Sequence, residues 1–176
     1  MAEKELNGIR IEKFQGILDS MRDDPKVLQA VTGPWKSRVV WQNGLKAKAY
    51  MRKHAVEMDE PDGLDASDSA ASAHEQLLSA VGTCVTVGFV INATKRGIKI
   101  HDLEVALEGN FENILKWAGH SQTGNPGYPS IKMKLFVKAD ADEAALREIW
   151  KIAVEGSPVA QTVARPTQIV ADFEAI

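Results

Sequence analysis

The chain has 176 residues, of which 44% are hydrophobic and 26% are charged, and its formal net charge is −3. This length and composition suit one well-packed domain, or a smaller domain with an N-terminal extension, and they exclude disorder over most of the chain. The mild acidity and the lack of a basic run exclude nucleic acid as the main partner, because a row of phosphate contacts needs clustered cations.

The first predicted element is an amphipathic helix over residues 8–22, with Asn7 as its cap. Its apolar face consists of Ile11, Phe14, Ile17, Leu18 and Met21. We divide the chain into an N-terminal helical extension, residues 1–34, and a main domain, residues 35–176. The extension either packs onto the main domain or docks another protein.

Three strands are predicted next, in the segments SRVVWQ, LKAKAYMR and HAVEM. The pair Asn43-Gly44 separates the first two, and Asn-Gly is the strongest short signal for a hairpin turn. Residues 59–72 are rich in Asp and Ser and have no hydrophobic period, which predicts a solvated loop. The carboxylates of this loop do not follow the EF-hand spacing, so we expect no calcium site.

The longest uncharged stretch, from Gln76 to Thr94, predicts a helix that is apolar nearly all round. Polar residues dilute the stretch, and the mean hydropathy of the chain is −0.20, so we expect a core helix and no membrane span. Cys84, the only cysteine, lies near the middle. Gly82 and Gly88 flank it and predict close packing of another backbone.

Two further strands follow, one with Leu103, Val105 and Leu107 on its apolar face and one spanning residues 131–137. Their acidic and basic exposed faces suggest that they pair. The long connection 111–129 has the length of a pocket lid. A helix starting at Asp140 and Glu143, a short turn at Ser157-Pro158 and a closing strand TQIVADFE complete an α+β order with a mainly antiparallel sheet.

Several separated segments coincide in order and spacing with one known family. They are EQLLSAVGTC at 75–84, RGI at 96–98, LEVALEG at 103–109, NPGYPSIKMKLFVKADA at 125–141 and SPVAQTVARPTQI at 157–169. Over residues 37–176 the chain resembles the OsmC/Ohr family. The resemblance implies an OsmC-like fold, in which an antiparallel sheet wraps a long central helix, and an intertwined homodimer with a thiol pocket at the subunit interface. Members such as the organic hydroperoxide reductases reduce peroxides through a cysteine thiolate that becomes a sulfenic acid.

The resemblance places Cys84 at the family's peroxidatic cysteine. Where the reductase branch has a second cysteine, an arginine and a glutamate, this chain has Ser157, Gln42 and His74, with Glu75 one residue later. On a continuous helix, the nine residues from Glu75 to Cys84 amount to a rotation of about 180° and a rise of roughly 13 Å. An intramolecular disulfide cannot form, and the chain is closer to OsmC-like branches that end in Ser-Pro-Val.

Sulfenic acid formation needs a partly exposed thiolate with a cationic or hydrogen-bonding neighbour. The candidates for that neighbour are Arg52, Arg38 and His54, and we select Arg52 as the catalytic partner of Cys84. The predicted pocket residues are Gln42, His74, Glu75, Trp117, Tyr128 and Ser157. The histidines show no metal-ligand spacing and the chain has no cofactor motif, so we expect neither metal nor cofactor.

Two functions remain open from the sequence. The first is reduction of small hydrophobic peroxides by Cys84 in a homodimer, with an external thiol as reductant. The second is a non-catalytic homodimer that binds a small hydrophobic ligand in the interface pocket, with Cys84 as a packing residue. A single cysteine and an N-terminal sequence without a secretory signal place the protein in the cytoplasm, as an expectation.

Overall fold

The structure is a computed structural model that describes residues 4–175. The chain divides into two compact units, Met1–Ser79 and Ala80–Ile176, and the boundary falls within one long helix. Both units contain helical and antiparallel strand segments, so the α+β prediction is confirmed.

The N-terminal region begins with a small hairpin that the sequence did not predict. Strand β1 (Glu5–Leu6) pairs with strand β2 (Ile9–Arg10). Asn7 lies in the turn with a φ of 53°, so its predicted role as a helix cap was wrong. Helix α1 then runs over Ile11–Asp23, close to the predicted span.

A second helix, α2 (Pro25–Thr32), follows directly and was not predicted. Asp24 caps it by accepting a hydrogen bond from the backbone N–H of Lys26 at 2.8 Å, and proline suits the first helical turn. Neither helix has a buried residue, and Ile17 and Leu28 are about half exposed. The apolar faces of this helix pair are therefore only partly covered.

The predicted three-stranded segment is confirmed as an antiparallel sheet. Strands β3 (Arg38–Asn43), β4 (Lys46–Met51) and β5 (His54–Met58) lie in that order. The first turn consists of Gly44 and Leu45, with Gly44 at a φ of 55°. The Asn-Gly signal was therefore correct to within one residue.

One face of this sheet is apolar and largely open. The register places Val39 opposite Ala49 and Ala49 opposite Val56, so these side chains share a face. Ala49 is buried, whereas Val39 is 60% exposed and Trp41, on the same face, is 68% exposed. We call the face that carries Val39, Trp41, Ala49 and Val56 the open sheet face.

The acidic loop after β5 is organised by one buried carboxylate. Asp59 is 2% exposed, and its oxygens accept hydrogen bonds from Ser67 Oγ at 2.7 Å and from the Ser69 N–H and Oγ at 3.0 Å. A 3-10 turn at Asp62–Leu64 lies within the loop. The prediction of a solvated loop was therefore wrong at Asp59, because several local donors replace its water.

The predicted long helix is confirmed as α3 (Ala73–Lys95). It ends at Lys95, and Gly97 follows with a φ of 73°, a conformation that glycine adopts without a side-chain clash. The Ile98 N–H donates to the Ala93 carbonyl and the Gly97 N–H to the Thr94 carbonyl, both at 3.0 Å. This pair of hydrogen bonds is a Schellman motif, and it fixes where the chain leaves the helix.

The second unit contains a two-stranded antiparallel sheet of β6 (Ile100–Gly109) and β7 (Ile131–Ala139). The predicted pairing of acidic and basic faces is confirmed, since Glu108 lies opposite Lys132 and their side chains are 2.7 Å apart. Along both strands the less exposed positions carry mostly apolar residues, whereas Phe136 lies on the exposed face with the lysines of β7. This alternation directs one face of the sheet to the core.

Three helices complete the second unit: α4 (Ile114–Trp117), α5 (Glu143–Glu155) and α6 (Pro158–Ala164). Asp142 caps α5 by accepting a hydrogen bond from the Ala145 N–H at 2.8 Å.

The predicted cap of α5 at Asp140 was therefore wrong. Asp140 precedes the helix, and one of its carboxylate oxygens lies 2.6 Å from His101 Nε2.

The core of the second unit is a cluster of seven buried apolar side chains. They are Val81, Val85, Phe89, Ala93, Ile149, Ala153 and Ala160. An added Cβ at Gly88 would lie 3.5 Å from the Ala153 carbonyl oxygen, which confirms the predicted close backbone contact there. At Gly82 the neighbour is instead the Leu107 side chain, 2.5 Å from such a Cβ.

The closing strand predicted for TQIVADFE was wrong. Residues 166–175 have no regular secondary structure, and Ile169, Val170 and Phe173 are each more than 80% exposed. A strand needs a hydrogen-bonding partner, and this segment has no strand partner among the residues that the structure describes.

Candidate functional site

Cys84 lies on helix α3 at the border between a packed face and an open one. It is a free, half-buried cysteine, next to the buried side chains of Val81 and Val85. Val87, three residues on, is 52% exposed, and Leu77, seven residues back, is 40% exposed. Because residues at these spacings share a helix face, Cys84 adjoins an apolar surface that is open to solvent. A thiol in this position can be reached by a small molecule.

By length and composition alone, helix α3 is apolar enough to cross a membrane, and it is the one such helix among the described residues. A third of its most apolar stretch is buried inside the protein. Val85 and Phe89 are fully buried in the core cluster with Ile149 of α5. This packing identifies α3 as a core helix.

The start of α3 is fixed by a contact between Ser72 and Glu75. Glu75 Oε2 accepts hydrogen bonds from Ser72 Oγ at 2.6 Å and from the Ser72 N–H at 2.8 Å. His74 Nε2 lies 3.1 Å from the same hydroxyl. The Ser-x-x-Glu spacing is that of a capping box, so Glu75 has a local structural contact at the helix start.

These hydrogen bonds have an electrostatic effect as well. Donation by the Ser72 hydroxyl and N–H stabilises the ionised form, which holds the pKa of the Glu75 carboxyl below its usual value. Glu75 is therefore a carboxylate at neutral pH, and the structure brings together two of the predicted pocket residues, His74 and Glu75, at Ser72.

Ser157, which the resemblance places where the reductase branch has a second cysteine, lies at the start of α6. The residue is 2% exposed, and its Oγ accepts a hydrogen bond from the Ala160 N–H at 3.2 Å. This is the N-terminal cap of α6. A hydroxyl suits that position, and the observed role of Ser157 is structural.

The other predicted pocket residues are distributed between the two units. Gln42 is exposed on β3 in the first unit. In the second unit Trp117 ends α4 and is 56% exposed, whereas Tyr128 is half-buried and stacks on Phe111 with ring centroids 4.8 Å apart.

The three candidate cations all lie on the sheet of the first unit. Arg38 packs over the Tyr50 ring, with 4.8 Å between its Cζ and the ring centroid. Arg52 lies in the turn between β4 and β5, and its Cζ is 6.0 Å from the centroid of Trp35. His54 begins β5 and is exposed.

The sequence analysis did not predict the roles of two residues of the first unit. Asp59 organises its loop, and a signal was present in the serines that follow it at positions 67 and 69, since serine donates readily to a nearby carboxylate. Trp35 is 71% exposed in the segment between α2 and β3, and its isolated position carried no periodic signal.

No metal-binding group emerges from residues 4–175. Within that range no three His, Cys, Asp or Glu side chains lie close enough together to hold an ion.

Comparison with protein families gives a match over most of the second half of the chain. Residues 66–172 match a family model described as OsmC-like protein, which is more than half of the chain. A search of curated proteins gives no match.

Solved structures share the fold at low sequence identity. An OsmC-like protein from Mycoplasma pneumoniae is 16% identical, with a TM-score of 0.64, over 75% of this chain and 88% of that one. An organic hydroperoxide resistance protein from Elizabethkingia anophelis is 12% identical, with a TM-score of 0.53, over 74% and 88%. The organic hydroperoxide resistance protein OsmC from Legionella pneumophila is 12% identical, with a TM-score of 0.50, over 74% and 89%.

Proposed function

This chain belongs to the OsmC-like protein family, and from that premise we propose that it reduces organic hydroperoxides through the thiol of Cys84. The observation that carries the proposal is the position of Cys84, half-buried beside the exposed Leu77 and Val87. An apolar surface next to a thiol favours a peroxide with an apolar body. Two of the solved structures with this fold are named as organic hydroperoxide resistance proteins.

The reaction proceeds in two stages. The Cys84 thiolate attacks one oxygen of the peroxide, the O–O bond breaks, and the other oxygen leaves with a proton as the alcohol. The cysteine becomes a sulfenic acid. An external thiol then forms a mixed disulfide and releases water, and a second external thiol regenerates the Cys84 thiol with release of a disulfide.

The reductant comes from outside because the chain has a single cysteine. Ser157, at the position of the second cysteine of related reductases, is committed to the cap of α6. A hydroxyl cannot form a disulfide with a sulfenic acid, so no second residue of the same chain can convert the Cys84 sulfenic acid into a disulfide.

The role of Arg52 as the cation beside the Cys84 thiolate stays a prediction from the sequence. Among residues 4–175 no carboxylate pairs with its guanidinium, so its charge is uncompensated. A nearby guanidinium favours the charged form of a thiol.

The working form that we propose is a homodimer. Its support is the apolar surface that the single chain leaves open: Val39 and Trp41 on the open sheet face, Leu77 and Val87 on α3, and the segment 166–175. Exposed apolar patches on each unit are candidates for association sites. Members of the family are soluble proteins, and we place this one in the cytoplasm.

The test is peroxide consumption by the full chain with cumene hydroperoxide and dithiothreitol, together with mass spectrometry after dimedone trapping. We expect turnover and a dimedone adduct on Cys84, and loss of both in Cys84→Ser, which keeps the side-chain size.

A second candidate function is a non-catalytic dimer that binds a small hydrophobic molecule. The observation that favours it is the use of Ser157 and Glu75 in helix caps instead of at the thiol. A binding measurement with cumyl alcohol, the product of cumene hydroperoxide reduction, distinguishes the two candidate functions. Saturable binding that survives Cys84→Ser, with no adduct on Cys84 in the native chain, would establish the binding function and reject the peroxidase.

A further inference from the structure

A groove in the first unit holds Arg52 beside Trp35, and neither of the two stages of the thiol reaction requires it. It has a volume of about 850 Å³ and lies between the end of α2, the segment 33–37 and the turn after β4. Volumes of this size are typical of small-molecule pockets. Its lining includes Ala30, Pro34, Trp35, Lys36, Met51 and Arg52.

The apolar wall of the groove is held in place by helix α2. The Trp35 indole N–H donates to the Val31 carbonyl, with 3.2 Å between nitrogen and oxygen. The ring is nevertheless 71% exposed. A fixed, open aromatic surface can stack a planar or apolar body at a small entropy cost, because the indole is already oriented.

The charged wall is cationic. Arg52 has a φ of 54°, a left-handed conformation that is uncommon for a residue with a long side chain. Its guanidinium lies 6.0 Å from the centre of the Trp35 ring, and among the described residues it has no carboxylate partner. This conformation belongs to the two-residue turn that joins β4 and β5.

The surrounding sequence adds to the positive potential. Between positions 34 and 53 no Asp or Glu occurs, and the charged residues are Lys36, Arg38, Lys46, Lys48, Arg52 and Lys53. Of these, Lys48 is neutralised by Glu57 at 2.9 Å, whereas Lys36 and Arg52 both line the groove. The groove therefore combines a net positive charge with an apolar floor.

We propose that this groove binds a small amphipathic carboxylate. The apolar body lies against Trp35 and Met51, and the carboxylate receives two hydrogen bonds from the Arg52 guanidinium, with Lys36 as a second cation. A guanidinium matches the geometry of a carboxylate. The apolar floor distinguishes this ligand class from inorganic anions, which gain nothing from an indole face.

The probe is 4-phenylbutyrate, and its uncharged match is 4-phenylbutanamide. The full-length chain, labelled with nitrogen-15, is titrated while the indole N–H resonances are followed, with Trp35 assigned by Trp35→Phe. We expect a saturable shift of the Trp35 resonance with the acid and none for Trp150 of the second unit. The amide should bind at least about tenfold more weakly, because a charged hydrogen bond is lost.

Variants locate the anion site. Arg52→Gln should weaken 4-phenylbutyrate at least about tenfold and Arg52→Lys by less. Arg38→Gln, on the same sheet but stacked on Tyr50, should leave the affinity unchanged. An unchanged backbone spectrum of each variant shows that the fold is kept. Cys84→Ser should bind as the native chain does, which separates this site from the proposed thiol chemistry.

Three results would overturn the proposal. They are equal affinities for the acid and the amide, an affinity that Arg52→Gln does not alter, and tighter binding of 4-phenylbutyrate to Phe173→Ala. The last would show that the acidic, aromatic segment 172–174 of a chain occupies the groove, so that the site serves a contact between copies and not a small molecule.

Discussion

The two units of this protein bury apolar surface to very different extents. Seven of the eight buried apolar side chains that the structure describes belong to the second unit, and Ala49 alone belongs to the first. The second unit closes its own core between α3, α5 and the β6–β7 sheet. The first unit instead leaves part of its open sheet face exposed, with Val39 and Trp41 about two-thirds exposed.

This difference shows which unit contributes most of the stability of the single chain. Hydrophobic burial is the dominant favourable term in folding, so the second unit contributes most of it. The first unit is held by strand hydrogen bonds and by the buried Asp59 carboxylate with its serine donors. Contact with a partner surface should therefore add more stability to the first unit than to the second, whose core is already buried.

The largest expected effect comes from the core of the second unit. Phe89→Ala should lower the free energy of unfolding by about 3–5 kcal/mol, because it leaves a cavity at a fully buried site. Val39→Ala, on the open sheet face, should cost less than about 1 kcal/mol in the monomer. Urea denaturation of both variants measures the contrast.

Equal costs for the two variants at low protein concentration would contradict the comparison. If the proposed dimer forms through the open sheet face, the cost of Val39→Ala should grow with protein concentration, whereas that of Phe89→Ala in the core should exceed it throughout.

An intermediate effect is expected at Asp59. Hydrogen bonds from Ser69 and Ser67 hold the pKa of this carboxyl far below its usual range. A depressed pKa contributes stability above the unfolded value of about 3.9, and that contribution is lost as the pH falls further. Asp59→Asn should lower the urea midpoint at pH 7, and the gap to the native chain should narrow below about pH 4.

The control for Asp59 is Asp62→Asn in the same loop, because Asp62 is exposed. An Asp62 variant as unstable as the Asp59 variant would show that the loop's charge, and not its buried hydrogen bonds, supports the first unit.

The smallest expected effect is a difference in the free energy of unfolding between alanine substitutions at two glycines of α3. Gly88→Ala should raise the free energy of unfolding by up to about 1 kcal/mol, because alanine favours helix and the new Cβ meets Ala153 at an ordinary contact distance. Gly82→Ala should be neutral or destabilising, since its Cβ would lie 2.5 Å from Leu107 Cδ1 and that side chain must move. Thermal unfolding of the pair tests this, and a stabilising Gly82→Ala would show that the second unit is packed less tightly than described.

Much of the fold was predictable because its signals are local. The Asn-Gly turn, the alternation in β6 and β7 and the long apolar run of α3 each follow from residues close in sequence. The closing strand at 167–174 shows the limit: its residues favour a strand, yet a strand forms only where an edge is present to pair with it.

The candidate site was less predictable, since contacts decide what a polar residue does. The sequence marked Cys84 by its uniqueness and Ser157 and Glu75 by their positions in the family. Only the structure shows that Ser157 caps α6 and that Glu75 is bound to Ser72. Trp35, in the segment before β3, and Arg52, in the turn after β4, lie close together in the structure. No periodic pattern in the sequence predicts that contact.

The segment 166–175 has a practical consequence for handling the protein. Proteases cut exposed chain that lacks regular structure, and this segment has both properties. Every residue of the core cluster lies at or before Ala160, so a cut between Gln168 and Ile169 leaves that core intact. Thermolysin, which cleaves before exposed apolar residues, should therefore yield a trimmed, still folded product, and resistance of this segment to digestion would report that it has found a partner strand.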